Sequence, residues 1–92
     1  MLKTLEDLIN IIRDRKSSSD DSSYTSKLLK NRSLSVEKVK EEIAELIEAV
    51  ENNSNKSHEA ADVIYHLLVY LEGNGVRIED IMDELEKRKK KK

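Results

Sequence analysis

The stretch E-A-A-D-V-I-Y-H-L-L-V-Y-L, from Glu59 to Leu71, decides the fold class of this chain. On a helix its polar members Glu59, Asp62 and His66 form one stripe, because they stand at positions i, i+3 and i+7. The rest is apolar almost all the way round, which is typical of a helix packed against several neighbours. A carboxylate carried into such packing is costly unless it is paired, protonated or bound to a metal. The stretch therefore predicts a buried helix whose acids need a partner.

Composition supports an all-α protein. The 92 residues contain no Pro, two Gly and three aromatic residues, all of them Tyr, and they are rich in good helix formers and poor in strand signals. We predict a single all-α domain over residues 1–92, near the lower size limit for a self-sufficient core. A helical hairpin bundle completed by a second copy, as a homodimer or higher homo-oligomer, is the expected architecture.

Several classes of function are excluded or disfavoured by what the sequence contains. The chain has no Cys, so disulfides, thiolate metal sites and cysteine nucleophiles are excluded. No apolar run approaches the roughly 20 residues of a membrane span, and the start lacks the apolar block of a signal peptide. We therefore expect a soluble cytoplasmic protein that has no membrane partner.

Charge is divided unevenly along the chain. The formal net charge is −2, although the terminal run 87–92 consists entirely of Lys and Arg. The rest of the domain is thus distinctly acidic, which suits cations or a metal-chelated anionic substrate. We interpret the basic tail as the solvated end of the last helix and expect no specific nucleic-acid partner, although such a tail could touch nucleic acid nonspecifically.

Apolar spacing and capping residues predict the remaining elements. A first helix is expected over Leu2–Arg15, a mobile polar loop over Lys16–Ser23 and a short helix or turn over Tyr24–Asn31. A break follows at Asn31-Arg32-Ser33. Ser35 resembles the N-cap of a helix whose apolar face runs from Val36 to Val50, and Ser57 resembles the cap of the quoted stretch. Gly73-Asn74-Gly75 ends that helix, and a last amphipathic helix runs from Val76 to Leu85.

A second acidic set lies on the preceding helix, at Glu42-x-x-Glu45, with Glu41 beside it. Residues three apart on a helix lie about 5–6 Å apart at Cβ, and an antiparallel hairpin would bring this pair to face Glu59 and Asp62. Hard cations such as Mg²⁺ prefer oxygen ligands and often complete their shell with substrate phosphates. Two other interpretations stay open: E-x-x-E is usually a solvated face, and buried acids could pair with Lys or Arg across an interface.

Other side chains are ambiguous from the sequence alone. His66 could be a proton shuttle or a phosphate donor, yet a lone His on a packed helix is more often a satisfied core residue. Tyr65 and Tyr70 are expected in the core, and Lys27 is an ordinary surface lysine on this evidence.

At five segments the chain resembles the phosphoribosyl-ATP pyrophosphohydrolases, small all-α enzymes of histidine biosynthesis within the MazG-type nucleotide pyrophosphohydrolases. The resemblance covers nearly the whole chain. Its segments are L-E-D-L at Leu5–Leu8, S-Y-T-S-K-L-L at Ser23–Leu29, K-V-K-E-E-I-A-E at Lys38–Glu45, E-A-A-D-V-I-Y-H-L-L-V at Glu59–Val69 and G-V-R-I-E-D-I-M-D-E-L at Gly75–Leu85.

The resemblance implies Mg²⁺-dependent hydrolysis of 1-(5-phosphoribosyl)-ATP to 1-(5-phosphoribosyl)-AMP and pyrophosphate, the second step of histidine biosynthesis. It also implies a role for each matching residue. The implied metal ligands are Glu42, Glu45, Glu59 and Asp62. The implied catalytic residues are Glu41 and Glu42, with Glu41 as an additional ligand or water-positioning base. The implied substrate-binding residues are Tyr24, Thr25, Lys27 and His66.

Two alternatives to this function follow from the residues. The family usually has Gly where this chain has Lys40, and its connection near Arg32 is slightly longer, which leaves room for a house-cleaning hydrolase of ordinary nucleoside triphosphates. The alternative of another class is a non-enzymatic helical oligomerisation module, which would show no dependence on Mg²⁺.

Overall fold

The computed structural model describes residues 2–18 and 22–90, and in that part of the chain it contains five α-helices and no strand. The prediction of an all-α fold is thus confirmed. No helix among these residues is both long and apolar enough to cross a membrane. The helices are α1 (Lys3–Ser17), α2 (Tyr24–Lys30), α3 (Arg32–Asn52), α4 (Lys56–Gly73) and α5 (Ile78–Lys89).

A helical hairpin formed by α3 and α4 is the frame of the domain, and these two helices make the most extensive contact of any pair. The turn between them holds Asn53 and Asn55 in the left-handed region, at φ 53° and φ 50°. Asn tolerates this conformation better than most residues. The Ser54 amide donates to the Ala49 carbonyl at 2.9 Å, which closes the end of α3. The Asn-rich run thus ends one helix and reverses the chain.

The predicted starts of both hairpin helices are wrong. α3 begins at Arg32, three residues before Ser35, the predicted cap. Asn31 caps the helix instead, because its side chain accepts a hydrogen bond from the Leu34 amide at 3.1 Å. Ser35 is buried inside the helix. Ser57 likewise lies inside α4, because the left-handed Asn55 begins that helix and its carbonyl accepts the Glu59 amide at 3.0 Å.

Two other boundaries differ from the sequence prediction, the end of α1 and the start of α5. α1 extends to Ser17, and Lys16 is fixed there because its Nζ donates to the Glu72 carbonyl at 2.6 Å. Lys16 and Ser17 of the predicted loop are therefore helical, and its residues 19–21 lie outside the described residues. α5 begins at Ile78 rather than Val76. It extends through Lys89, so the start of the basic tail is the end of the last helix, as predicted, while residues 91–92 lie outside the described part.

The short segment after the loop is a helix, α2, which agrees with one of the two predicted forms. Ser23 caps it by accepting the Ser26 amide at 3.0 Å. Leu28, which is 1% exposed, anchors it in the core.

The core lies where α1, α2 and α4 meet, and it is small. Its buried members are Ile9, Ile12, Leu28, Leu68 and Val69. The hairpin presents a second apolar surface, the outer face, on which large aliphatic side chains are exposed by 38–57%. The outer face consists of Ile43, Ile47, Val50, Ile64 and Leu67. Within the single chain α4 is thus buried on only part of its surface, and its predicted burial against a second copy stays a prediction.

Candidate active site

The two acidic pairs of the hairpin lie close together, as their spacing predicts. Each pair occupies successive turns of its helix, Glu42 and Glu45 on α3 and Glu59 and Asp62 on α4. One carboxylate oxygen from each of Glu42, Glu45 and Glu59 lies within 4.8 Å of the others. The antiparallel hairpin produces this cluster, because it places the middle of α3 beside the first turns of α4.

Two carboxylate oxygens in this cluster lack partners. Glu42 is only 8% exposed, and its Oε2 and the Oε2 of Glu59 are buried without a hydrogen bond from any described residue. Burial raises the pKa of Glu42, and the neighbouring Glu45 and Asp62 raise it further. Burial also raises the pKa of Glu59, with Glu45 and Asp62 adding to the effect. Buried polar atoms normally have a partner, so these oxygens suit a bound cation.

A second potential ligand group extends the first along α4. Ligand atoms of His58, Glu59 and Asp62 lie within 4.8 Å of one another, so Glu59 belongs to both groups. His58 Nε2 is 3.4 Å from Asp62 Oδ2. The sequence reasoning missed His58, although its i, i+4 spacing to Asp62 was a visible signal. The donors are mostly carboxylate oxygens, which is the chemistry of a site for Mg²⁺ or a similar hard cation.

Glu41 does not join the two groups. Its side chain is half exposed and accepts a hydrogen bond from Lys38 Nζ at 3.4 Å. The charge of the Glu41 carboxylate and its hydrogen bond raise the pKa of Lys38. Lys38, which the sequence reasoning did not single out, is therefore a cation one helical turn before Glu42.

Three of the four predicted substrate-binding residues take part in side-chain hydrogen bonds between α2 and α4. The Tyr24 hydroxyl is 3.0 Å from His66 Nε2, and the Thr25 hydroxyl is 2.5 Å from the hydroxyl of Tyr65. These contacts join the start of α2 to α4 next to Asp62. Lys27 is exposed on α2 and takes part in neither contact.

A cleft of about 220 Å³ opens beside the carboxylates, at the end of α3 and the turn. Its lining residues include Glu45 and Glu59 of the two acidic pairs, together with Asn52, Ser54 and Asn55. Glu45 and Glu59 of the carboxylate cluster are therefore accessible to a solute from the turn side.

Residues 5–89 match the family model described as phosphoribosyl-ATP pyrophosphohydrolase. The chain belongs to the phosphoribosyl-ATP pyrophosphohydrolase family. The resemblance seen in its sequence segments is thereby confirmed. All four acids and the Tyr24–Lys27 segment lie within the matched range.

Curated relatives named phosphoribosyl-ATP pyrophosphatase align with this family member over most of its length. The protein of Clostridium novyi is 42% identical, over 98% of this chain and 84% of its own length. That of Methylobacterium nodulans is 43% identical, over 92% of this chain and 82% of its own. That of Methanosarcina acetivorans is 42% identical, over 98% and 91%. No solved structure matches the chain.

Proposed function

We propose that this protein hydrolyses phosphoribosyl-ATP to phosphoribosyl-AMP and pyrophosphate in a Mg²⁺-dependent reaction of histidine biosynthesis. One observation carries the proposal: in a member of this family, buried carboxylate oxygens of Glu42 and Glu59 lack hydrogen-bond partners among the described residues, and Glu59 lines an open cleft. An unpaired buried carboxylate is costly, and a cation at this position would remove that cost.

The residues that would hold Mg²⁺ are Glu42, Glu45, Glu59 and Asp62. When bound there, Mg²⁺ would neutralise charge on the triphosphate and activate the attacking water. Glu41 lies next to this group and is half exposed, so its carboxylate has room to orient that water or accept its proton. The water oxygen bonds to phosphorus, the bond to the leaving pyrophosphate breaks, and the products are the AMP derivative and pyrophosphate.

The substrate side of the site would be the start of α2. Tyr24, Thr25 and Lys27 lie within the first four positions of one short helix, whose first turn contacts α4 beside Asp62. Lys27 is exposed, so its ammonium group is available for a phosphate contact. Lys38 adds a second cation near Glu41, which would offset the repulsion between an acidic site and an anionic substrate.

Pyrophosphate release from phosphoribosyl-ATP, measured with and without Mg²⁺ and beside ATP and dCTP, tests the proposal. We expect fast metal-dependent release from phosphoribosyl-ATP alone. Release from the ordinary triphosphates instead would keep the carboxylate site and reject the substrate. Absence of release from all three would reject the enzyme and favour an interaction module.

We also propose that a second copy of the chain covers the outer face. Its five aliphatic side chains stand at helical spacing on α3 and α4 and are exposed by 38–57%, and exposed apolar faces of this kind mark interaction surfaces. Burying such a side chain completely is worth about 1.5–3 kcal/mol, and these are already half buried. Self-association would thus supplement the small core.

Sedimentation analysis of Ile47→Lys tests this association. Ile47 is 55% exposed in the middle of the outer face, so a charge there should shift the protein to monomer. Met82→Lys is the matched control, because Met82 is 49% exposed on α5 and is not part of the outer face. A wild-type protein that is monomeric at high concentration would contradict the proposal.

A further inference from the structure

The start of α2 is held in place by a small group of bonded aromatic side chains. α2 has only seven residues, and a helix this short has little stability of its own. Its orientation therefore depends on its contacts. Leu28 fixes its later turn in the core, while Tyr24 and Thr25 fix its first turn through hydroxyl contacts to α4.

His66 is the centre of this group. The ring is 7% exposed, and both of its nitrogens have partners: Nδ1 lies 2.8 Å from the Asp62 carbonyl, and Nε2 lies 3.0 Å from the Tyr24 hydroxyl. A carbonyl only accepts hydrogen bonds, so Nδ1 carries a proton. In the neutral ring Nε2 then accepts from the Tyr24 hydroxyl. The direction of both bonds follows from this assignment.

Ring contacts limit the freedom of Tyr24 further. The His66 ring makes T-shaped contacts with two tyrosine rings: its centroid lies 4.9 Å from that of Tyr65 and 5.8 Å from that of Tyr24. The two tyrosine rings are stacked at 6.3 Å. Tyr24 is nevertheless 46% exposed. Its hydroxyl is thus fixed from inside, while part of its ring stays open to a ligand.

These contacts form one continuous connection from the acidic cluster to the substrate side. Asp62 contributes its carboxylate to the second ligand group and its carbonyl to His66, and His66 holds Tyr24. His66 itself has no ring nitrogen left for a ligand unless one of these bonds breaks.

We propose that His66 is a positioning residue that acts through Tyr24: it fixes the first turn of α2 beside the carboxylates, so that the nucleotide meets an ordered surface. The proposal rests on the proposed function for its substrate, although the ordering of α2 is measurable without turnover. It differs from direct substrate binding by His66, because the ring touches Tyr24 and Asp62 instead.

Two substitutions at His66 separate its two bonds. His66→Asn keeps an amide near the position of Nδ1 and loses the reach to Tyr24, whereas His66→Gln places an amide near the position of Nε2. We expect His66→Asn to raise the KM for phosphoribosyl-ATP about tenfold, the equivalent of one lost hydrogen bond, with little change in kcat. His66→Gln should restore most of the affinity.

Tyr24→Phe removes the other half of the same bond and should match His66→Asn. Because both variants break one connection, combining them should cost no more than either alone. Tyr70→Phe is the matched control: it deletes a hydroxyl on the same helix that is outside the bonded group, and it should leave KM unchanged. An unchanged KM in His66→Asn, or additive losses in the double variant, would overturn the proposal.

Amide hydrogen exchange of α2 in nucleotide-free protein separates this proposal from the proposed function. We expect faster exchange over residues 24–30 in His66→Asn and wild-type exchange in His66→Gln, even if the substrate proves to be another nucleotide. Equal protection in wild type and His66→Asn would overturn the positioning role, whatever the activity assay shows.

Discussion

Two groups of carboxylates lie at opposite ends of α4, and their surroundings differ sharply. Near its start, Glu59 and the facing Glu42 each have a buried oxygen without a partner among the described residues. Near its end, Glu72 is 5% exposed and accepts two hydrogen bonds from Arg13, both at 2.9 Å. Burial raises the pKa of Glu42 and Glu59, whereas the Arg13 guanidinium lowers that of Glu72.

The group at the end of α4 connects three helices. Arg13 on α1 binds Glu72 on α4 and also donates to Glu79 on α5, at 2.9 Å from Nη1. The Ile78 amide donates to Glu72 as well, at 3.3 Å. Every charge there has an opposite charge beside it, so this group ties the terminal helices to the hairpin.

The difference separates a structural role from a functional one. A fold can satisfy a buried acid, as Arg13 satisfies Glu72, with one well-placed guanidinium. At the other end of the same helix the chain leaves like charges together, although that costs stability. Local conflicts of this kind are typical of functional sites, and we therefore expect substitutions in the two groups to have opposite effects.

The largest expected effect is on activity, in Glu42→Gln. The amide keeps the shape of the side chain and removes its charge, so the rate of pyrophosphate release should fall more than about 100-fold. A residue that only orients a metal ligand typically costs less than this when it is replaced. The metal-free protein at neutral pH should be no less stable, because Glu42 no longer faces Glu45 and Asp62 as an anion. Turnover assays and urea unfolding measure both.

Glu51→Gln is the matched control for that experiment, since Glu51 is exposed on the same helix. It should leave both activity and stability at wild-type values. Wild-type turnover in Glu42→Gln would contradict the assignment of the site.

The next effect is on stability, in Arg13→Met. Removing one partner of a buried ion pair leaves the other charge unpaired, which costs about 3–5 kcal/mol when burial is complete. Arg13 is 29% exposed at its side chain, so we expect a loss near the lower end, measured by urea unfolding. Turnover per folded molecule should be unchanged, because Arg13 lies outside the hairpin site.

Arg77→Met is the control for Arg13→Met. Arg77 pairs with Glu79 at 3.3 Å, and both side chains are mostly exposed. Exposed pairs contribute about 1 kcal/mol or less. Equal losses in the two variants would show that burial of Glu72 does not set the cost.

The acidic cluster could be predicted from the sequence, and the Arg13 network could not. Glu42 and Glu45, like Glu59 and Asp62, have helical spacing, so local geometry alone predicts each pair. Arg13 and Glu72 are 59 residues apart, and their pairing depends on how α1 packs against α4. Nothing in the neighbouring sequence marks either residue as part of a pair.

Helix starts were mispredicted where two polar residues competed for the same role. Asn31 and Ser35 are both good caps; in the folded chain Asn31 caps α3, and Ser35 is buried inside the helix. The outer face shows a related limit, since the pattern identifies Ile43 and Ile47 as apolar without saying what covers them. Periodicity thus predicts which residues share a face, while tertiary contacts decide which face is buried.

The smallest expected effect is on the acid dependence of stability. Arg13 lowers the pKa of Glu79 to about 2, from an ordinary value of 4.5, and also lowers the pKa of Glu72. The folded protein then binds fewer protons than the unfolded chain, so unfolding free energy falls as pH decreases from about 4.5 toward about 2. Glu79 is half exposed, so solvent screening keeps its share small.

Arg13→Met should reduce this dependence of the unfolding free energy on acid pH, because both carboxylates return toward ordinary pKa values once the guanidinium is gone. Urea unfolding at a series of pH values, in the presence of a chelator, measures the slope for wild type, Arg13→Met and Arg77→Met. Wild type and Arg77→Met should keep the full pH dependence of the unfolding free energy, since Arg13 contributes most to the lowered pKa of Glu79. An equally large loss of unfolding free energy at acid pH in Arg13→Met would mean that carboxylates elsewhere set the acid dependence. The Glu72 group would then differ from the Glu42 and Glu59 group in geometry but not in its contribution to stability.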